Sequence, residues 1–178
     1  MEKKDLKPAG VFKYFEEICQ VPRPSKKEEK MIAYLKAFGA KHNLETKVDE
    51  AGNVLIKKPA TPGKENLQTV VLQSHIDMVC EKNNDVQHDF LTDPIETEID
   101  GEWLKAKGTT LGADNGIGVA TELAILADDS IEHGPLECLF TVDEETGLTG
   151  AFALKEGFMS GDILLNLDSE DEGEILSL

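Results

Sequence analysis

The residues of this 178-residue chain best placed to do chemistry begin with His75 and Asp77, which follow the apolar run Val70-Val71-Leu72. Side chains alternate along a strand, so the two lean to one side, roughly 6–7 Å apart along the chain. An imidazole backed by a carboxylate is the arrangement in which an acid fixes the tautomer and orientation of a metal-binding ring. Read alone, the pair is a weak signal and is more readily a histidine that merely ends a core strand. Further acids stand at comparable places. Asp143-Glu144-Glu145 follows the apolar run 136–142, Asp168 follows 163–167, and Asp114 lies in Leu111-Gly112-Ala113-Asp114-Asn115-Gly116 at the start of a helical pattern. Each has an ordinary alternative: Asp114 as a helix N-cap, the glutamates as a solvated turn, Asp168 as a loop cap. Taken together they carry more weight, because loops at the carboxyl ends of α/β strands converge. One imidazole with several carboxylates is a ligand set for zinc, manganese or cobalt, and a shared carboxylate can bridge two ions about 3.5–4 Å apart. Adjacent Glu144 and Glu145 cannot easily face the same ion, which leaves one free to carry a proton. Water on such an ion is acidified to a pKa of about 7, and a free glutamate beside it can pass that proton to a leaving amine.

The elements that must position these groups are legible from periodicity. Val11, Phe12, Phe15, Ile18 and Cys19 fall on one helical face, and Val21-Pro22-Arg23-Pro24 stops that helix. Ser25 with Glu28 reads as a capping box for a second helix carrying Met31, Ile32, Leu35 and Phe38 inward and ending near Gly39. A hairpin is expected over 47–58, turning at Ala51-Gly52-Asn53, and another over 95–106, with Trp103 as a packing residue. A helix follows Asn115 with Val119, Leu123, Leu126 and Ala127 inward; a short one spans 151–156. Runs 136–142 and 163–167 read as buried strands, and Ile175-Leu176-Ser177-Leu178 as the start of another. Strands alternating with helices give an α/β fold with a mixed, largely parallel sheet flanked by helices. A sheet left unfinished at Leu178 is expected to expose an apolar edge.

Composition narrows the partners. Eighteen Lys and Arg against 35 Asp and Glu give a formal charge of −17, a field that repels nucleic-acid phosphates and anionic lipid heads. Cys19, Cys80 and Cys138 are odd in number and set in apolar sequence, which fits reduced, buried thiols. The N-terminus lacks a signal-like apolar region and no run is long enough to span a bilayer. The expectation is a soluble, cytoplasmic protein with neither nucleic-acid nor membrane partners.

The segments HIDMVCEK, GTTLGADNGIGVA, TVDEETGLTGA and LNLDSED, in this order and spacing, resemble the M20 metallopeptidases, and within them the aminoacyl-histidine (Xaa-His) dipeptidases. The similarity runs over essentially the whole chain. It implies a zinc-peptidase-like catalytic domain acting on short peptides, with two divalent ions, zinc first and cobalt or manganese as alternatives. Carried over by motif, His75 and Asp168 would bind one ion, Asp114 would bridge both, and Glu145 would bind the second. Asp77 would orient His75, Glu144 would be the general base, and the Asp114–Asn115 peptide bond would be cis. Members of the family are longer, so residues 1–178 are expected to be the N-terminal portion of the catalytic domain. A lid or dimerisation domain and a C-terminal segment with a last histidine ligand would be absent, and the full-length enzyme would be a homodimer. His42, His88 and His133 read as loop or surface residues rather than substitutes. An amide deacylase of the same family and a catalytically incomplete metal-binding fragment stand as alternatives.

Overall fold

The computed structural model describes residues 2–168; the strand expected at 175–178 lies outside them. After a 3₁₀ turn at Lys3–Asp5 come two helices, α1 (Ala9–Cys19) and α2 (Glu29–Lys41), followed by β1 (Glu45–Val48), β2 (Val54–Lys58) and β3 (Val70–His75). A ribbon of β4 (Thr97–Asp100) and β5 (Trp103–Ala106) leads into α3 (Ala113–Ala127), β6 (Leu136–Thr141), α4 (Thr149–Ala153) and β7 (Ile163–Asn166). The main sheet has the order β1-β2-β6-β3-β7. It is mixed: β1, β2 and β6 pair antiparallel, whereas β3 pairs parallel with β6 and with β7.

The strand β6 is the spine, with all six residues buried. Alternation sends its side chains to two layers. Cys138 and Phe140 join Val54, Ile56 and Leu72 under α1, α2 and α3, while Leu139 joins Leu55 and Val71 beneath Leu154, Phe158 and Met159. Helix α1 buries Tyr14, Phe15, Ile18 and Cys19, and α2 buries Met31, Leu35, Phe38 and Gly39, in each case one stripe at helical spacing.

Four expectations change. Ser25 and Glu28 do not form a capping box: α2 starts at Glu29 with no side-chain cap. Ser25 instead donates to Asp77, and Glu28 accepts from the Lys26 and Asp143 amides. The local pattern fitted a cap, but tertiary partners were better placed. Trp103 is 70% exposed, because alternation in the ribbon turns Leu104 and Ala106 to the core instead. The strand β7, read from sequence as buried, is exposed along its length, Ile163, Leu164 and Leu165 included, since among the described residues it pairs only with β3. Finally, Cys80 is only half-buried, unlike Cys19 and Cys138.

One core group reports on pH. Glu122 of α3 is fully buried, accepts from Ser74 Oγ at 2.7 Å, and has no partner for its second oxygen among the described residues. Burial pushes its pKa well above the ordinary carboxyl value. The folded state therefore keeps a proton that the unfolded chain releases above a pH of about 4.3. Its contribution to stability is complete below that pH and is lost as pH rises, by up to about 1.4 kcal/mol per pH unit. The change Glu122→Gln is expected to flatten this decline, read as urea midpoint against pH for both proteins.

Candidate metal centre

The parallel register explains why distant acids meet. His75 is the last residue of β3 and pairs with Thr141, the last of β6. On the other side Gln73 pairs with Asn166 of β7, so Asp168, two residues further on, comes level with His75. The loops carrying Glu144-Glu145 and Asp168 thus leave the sheet at one edge beside the imidazole. Asp114 reaches the same place from the first turn of α3, where it and its neighbour Asn115 have non-helical dihedrals. The Asp114–Asn115 peptide bond is cis.

Distances place the acids singled out from the sequence around one ring. His75 Nδ1 lies 3.2 Å from Asp77 Oδ1, and Nε2 lies 3.1 Å from Asp114 Oδ1. The same Nε2 is 3.9 Å from Glu144 Oε2 and 3.9 Å from Asp168 Oδ2. Two overlapping groups could hold cations: His75, Asp114 and Glu145, and His75, Glu144 and Asp168, each offering ligand atoms within 4.8 Å of one another. The donor chemistry fits divalent ions, because one imidazole and several carboxylates suit zinc and its neighbours. Among the described residues the side-chain ion pairs of Asp114, Glu144 and Asp168 all run to this single histidine. The excess negative charge is left for a cation to balance.

The electrostatics follow from this crowding. Burial disfavours the His75 imidazolium, but the Asp77 and Asp114 hydrogen bonds and the nearby Asp168 outweigh it and hold the ring up at about 9. Burial likewise opposes ionisation of Asp77, yet bonds from His75, the Glu144 amide and Ser25 bring it down to about 2. Glu144, Glu145 and Asp168 are raised, first by burial and then by neighbouring carboxylates, Asp114 in every case, with His75 working in the opposite direction. A third acidic group, Glu28, Asp77 and Asp143, is also buried; both Asp77 oxygens, Glu28 Oε1 and Asp143 Oδ1 accept from protein donors, namely His75, Ser25, Lys26 N, Thr146 and the 143–145 amides.

Periodicity gave no sign of several supporting residues. Asn53, read as a turn residue, is fully buried; its Oδ1 accepts from Val142 N at 3.1 Å and its Nδ2 donates to Gly150 O at 2.8 Å, closing the loop that carries Glu144 and Glu145 at both ends. Arg23, read as part of a helix stop, donates to Gly112 O at 2.7 Å from a fully buried position. The only sequence signal is chemical: an arginine between two prolines, followed by a serine, where a plain turn would do.

The arrangement defines an α/β protein whose parallel strand ends gather one imidazole and several carboxylates, the donor set of divalent-metal sites. The model of peptidase family M20/M25/M40 matches residues 71–172, and the chain belongs to that family. It is 52% identical over 174 residues to the cytosol non-specific dipeptidase of Escherichia coli, covering 98% of this chain and 36% of that protein. The crystal structure of aminoacylhistidine dipeptidase from Vibrio alginolyticus superposes with a TM-score of 0.94 at 56% identity, covering 97% of this chain and 35% of that one. The aminopeptidase PepT of Bacillus cereus superposes with a TM-score of 0.77 at 26% identity, covering 91% of this chain and 43% of that one. The chain thus spans about a third of the length of the first two relatives.

Gly112 tests the loop that presents Asp114. Its φ is 68°, and a Cβ there would lie 2.8 Å from both Arg23 Nη2 and Met78 Sδ. Gly112→Ala is expected to destabilise the protein by on the order of 1–3 kcal/mol, measured as a shift in denaturant midpoint; an unchanged midpoint would show the loop to be free to move.

Proposed function

We propose that the protein carrying this chain is a cytoplasmic, metal-dependent dipeptidase, acting on short peptides with a free N-terminus, Xaa-His dipeptides among them. One observation carries the reading: His75, Asp114, Glu144, Glu145 and Asp168, from four separate chain segments, converge at one edge of the sheet. Membership of the peptidase family and the names of the relatives support the substrate class. The cytosol in the name of the Escherichia coli relative supports the location. Among the described residues no helix is long and apolar enough to cross a membrane.

His75 and Asp168 would hold one divalent ion, Glu145 the other, and Asp114 would bridge the two; zinc suits the set, with cobalt or manganese as alternatives. When bound, the ions supply polarisation of the scissile carbonyl and an acidified water. The side chains do the rest. Asp77 keeps the His75 ring oriented, with its Nε2 aimed at Asp114. Glu144, 27% exposed and 3.9 Å from His75 Nε2, accepts a proton from the attacking water and delivers it to the leaving amine, a role its raised pKa favours. The complete protein is taken to be a homodimer.

The experiment uses the full-length protein. A chelator is expected to abolish dipeptide hydrolysis and added zinc to restore it. Glu144→Gln should lower kcat by about 10²–10⁴-fold while metal content, measured by atomic emission, stays at the wild-type level; Asp114→Asn should lower metal content itself. Hydrolysis of N-acyl amino acids with no turnover of dipeptides would make the protein a deacylase instead.

A further inference from the structure

The segment between α1 and α2, Arg23-Pro24-Ser25-Lys26-Lys27-Glu28, has no part in the chemistry above, yet it is built at a cost a connecting turn would not need. Arg23 is 2% exposed and Glu28 6%. A buried guanidinium is expensive unless its donors are met, and Arg23 Nε finds no acceptor among the described residues. Neither residue is required to stop α1 or to cap α2, which has no side-chain cap at all.

What these residues touch is informative. Arg23 Nη2 donates to the Gly112 carbonyl at 2.7 Å, two residues before Asp114, and Nη1 meets Met78 Sδ at 3.0 Å. Its own carbonyl accepts from Met78 N at 3.2 Å, one residue beyond Asp77. Ser25 Oγ donates to Asp77 Oδ2 at 2.7 Å, the oxygen that also accepts the Glu145 amide at 3.2 Å. Glu28 Oε1 accepts the Asp143 amide at 3.0 Å, immediately before Glu144. One short segment therefore reaches the loop after β3, the loop before α3 and the loop after β6.

We propose that residues 23–28 are a positioning segment for the metal centre, fixing the mutual spacing of the loops that carry His75, Asp114, Glu144 and Glu145. The inference rests on the metal-site reading given above. Its physical basis is repulsion. The carboxylates of these loops share a small volume and, until a cation arrives, push one another apart; loops leaving different strands would answer by splaying. Ties from a common outside segment resist that movement, so less of the binding free energy is used to gather the ligands. Residues that orient ligands in this way typically alter metal affinity by about 10–100-fold when removed.

Ser25 gives the cleanest test, because it is partly exposed and Ser25→Ala removes a single hydroxyl. In the full-length protein, zinc affinity measured by competition with a chromophoric chelator should weaken at least about tenfold, while the metal-free melting temperature stays within about 2 °C of wild type. Ser25→Thr, which keeps the hydroxyl, should restore affinity. Glu28→Leu should weaken zinc binding as Ser25→Ala does, and Glu28→Gln, which keeps a carbonyl acceptor, should fall close to wild type. If wild type binds zinc and Ser25→Ala and Glu28→Leu bind it equally well, the positioning role is overturned alone. A wild-type protein that takes up no zinc overturns the metal-site reading and this inference with it.

Discussion

The carboxylate of Asp77 accepts from the His75 ring, the Ser25 hydroxyl and the amides of Glu144 and Glu145, and the geometry of the whole site hangs on those four contacts. A buried charge is tolerable only when donors replace the water it has lost. Asp77 is 1% exposed, and with four donors it stays ionised, its pKa brought down to about 2. Glu122 shows the alternative. Equally buried, it has one oxygen without a partner among the described residues and is driven toward its neutral form. The two carboxyls differ in hydrogen-bond supply and in company, since Asp77 also faces the His75 ring whereas desolvation dominates at Glu122.

Because Asp77 binds both the imidazole and the backbone of the following loop, it joins two chain segments 67 residues apart. The parallel pairing of β3 with β6 and β7 brings those segments to the same level, and the single carboxylate then fixes their separation to within a hydrogen bond. The strand register supplies the coarse placement and Asp77 the fine one. The antiparallel half of the sheet serves differently. Its strand β2 seals the flank of β6, and the turn before β2 contributes Asn53, which ties the Glu144 loop down.

The likeness to the Escherichia coli and Vibrio alginolyticus proteins extends across nearly the whole of this chain, and with the second of them, at a TM-score of 0.94, it is a likeness of fold. Their names differ on specificity, one non-specific and one aminoacylhistidine. The groups gathered around His75 are carboxylates rather than the apolar walls of a side-chain pocket, so they say more about charge at this edge than about substrate preference.

Much was legible in one dimension. The apolar runs leading to His75, Glu144 and Asp168 marked the strands and their exits, since a short apolar run bounded by polar residues marks where a chain enters and leaves a sheet. The helical stripes of α1 and α2 were equally plain, because a 3.6-residue period is a property of the chain alone. The order of strands was not, nor was the exposure of Trp103 and β7, which depends on what lies next to a strand and not on its composition. The clearest case is Ser25 and Glu28. Their spacing satisfies a capping box, and only the tertiary structure, by bringing Asp77 and Asp143 within reach, decided that the two side chains would serve the site instead of the helix: hydrogen bonds go to the best-placed partner, and sequence separation says nothing about who that is.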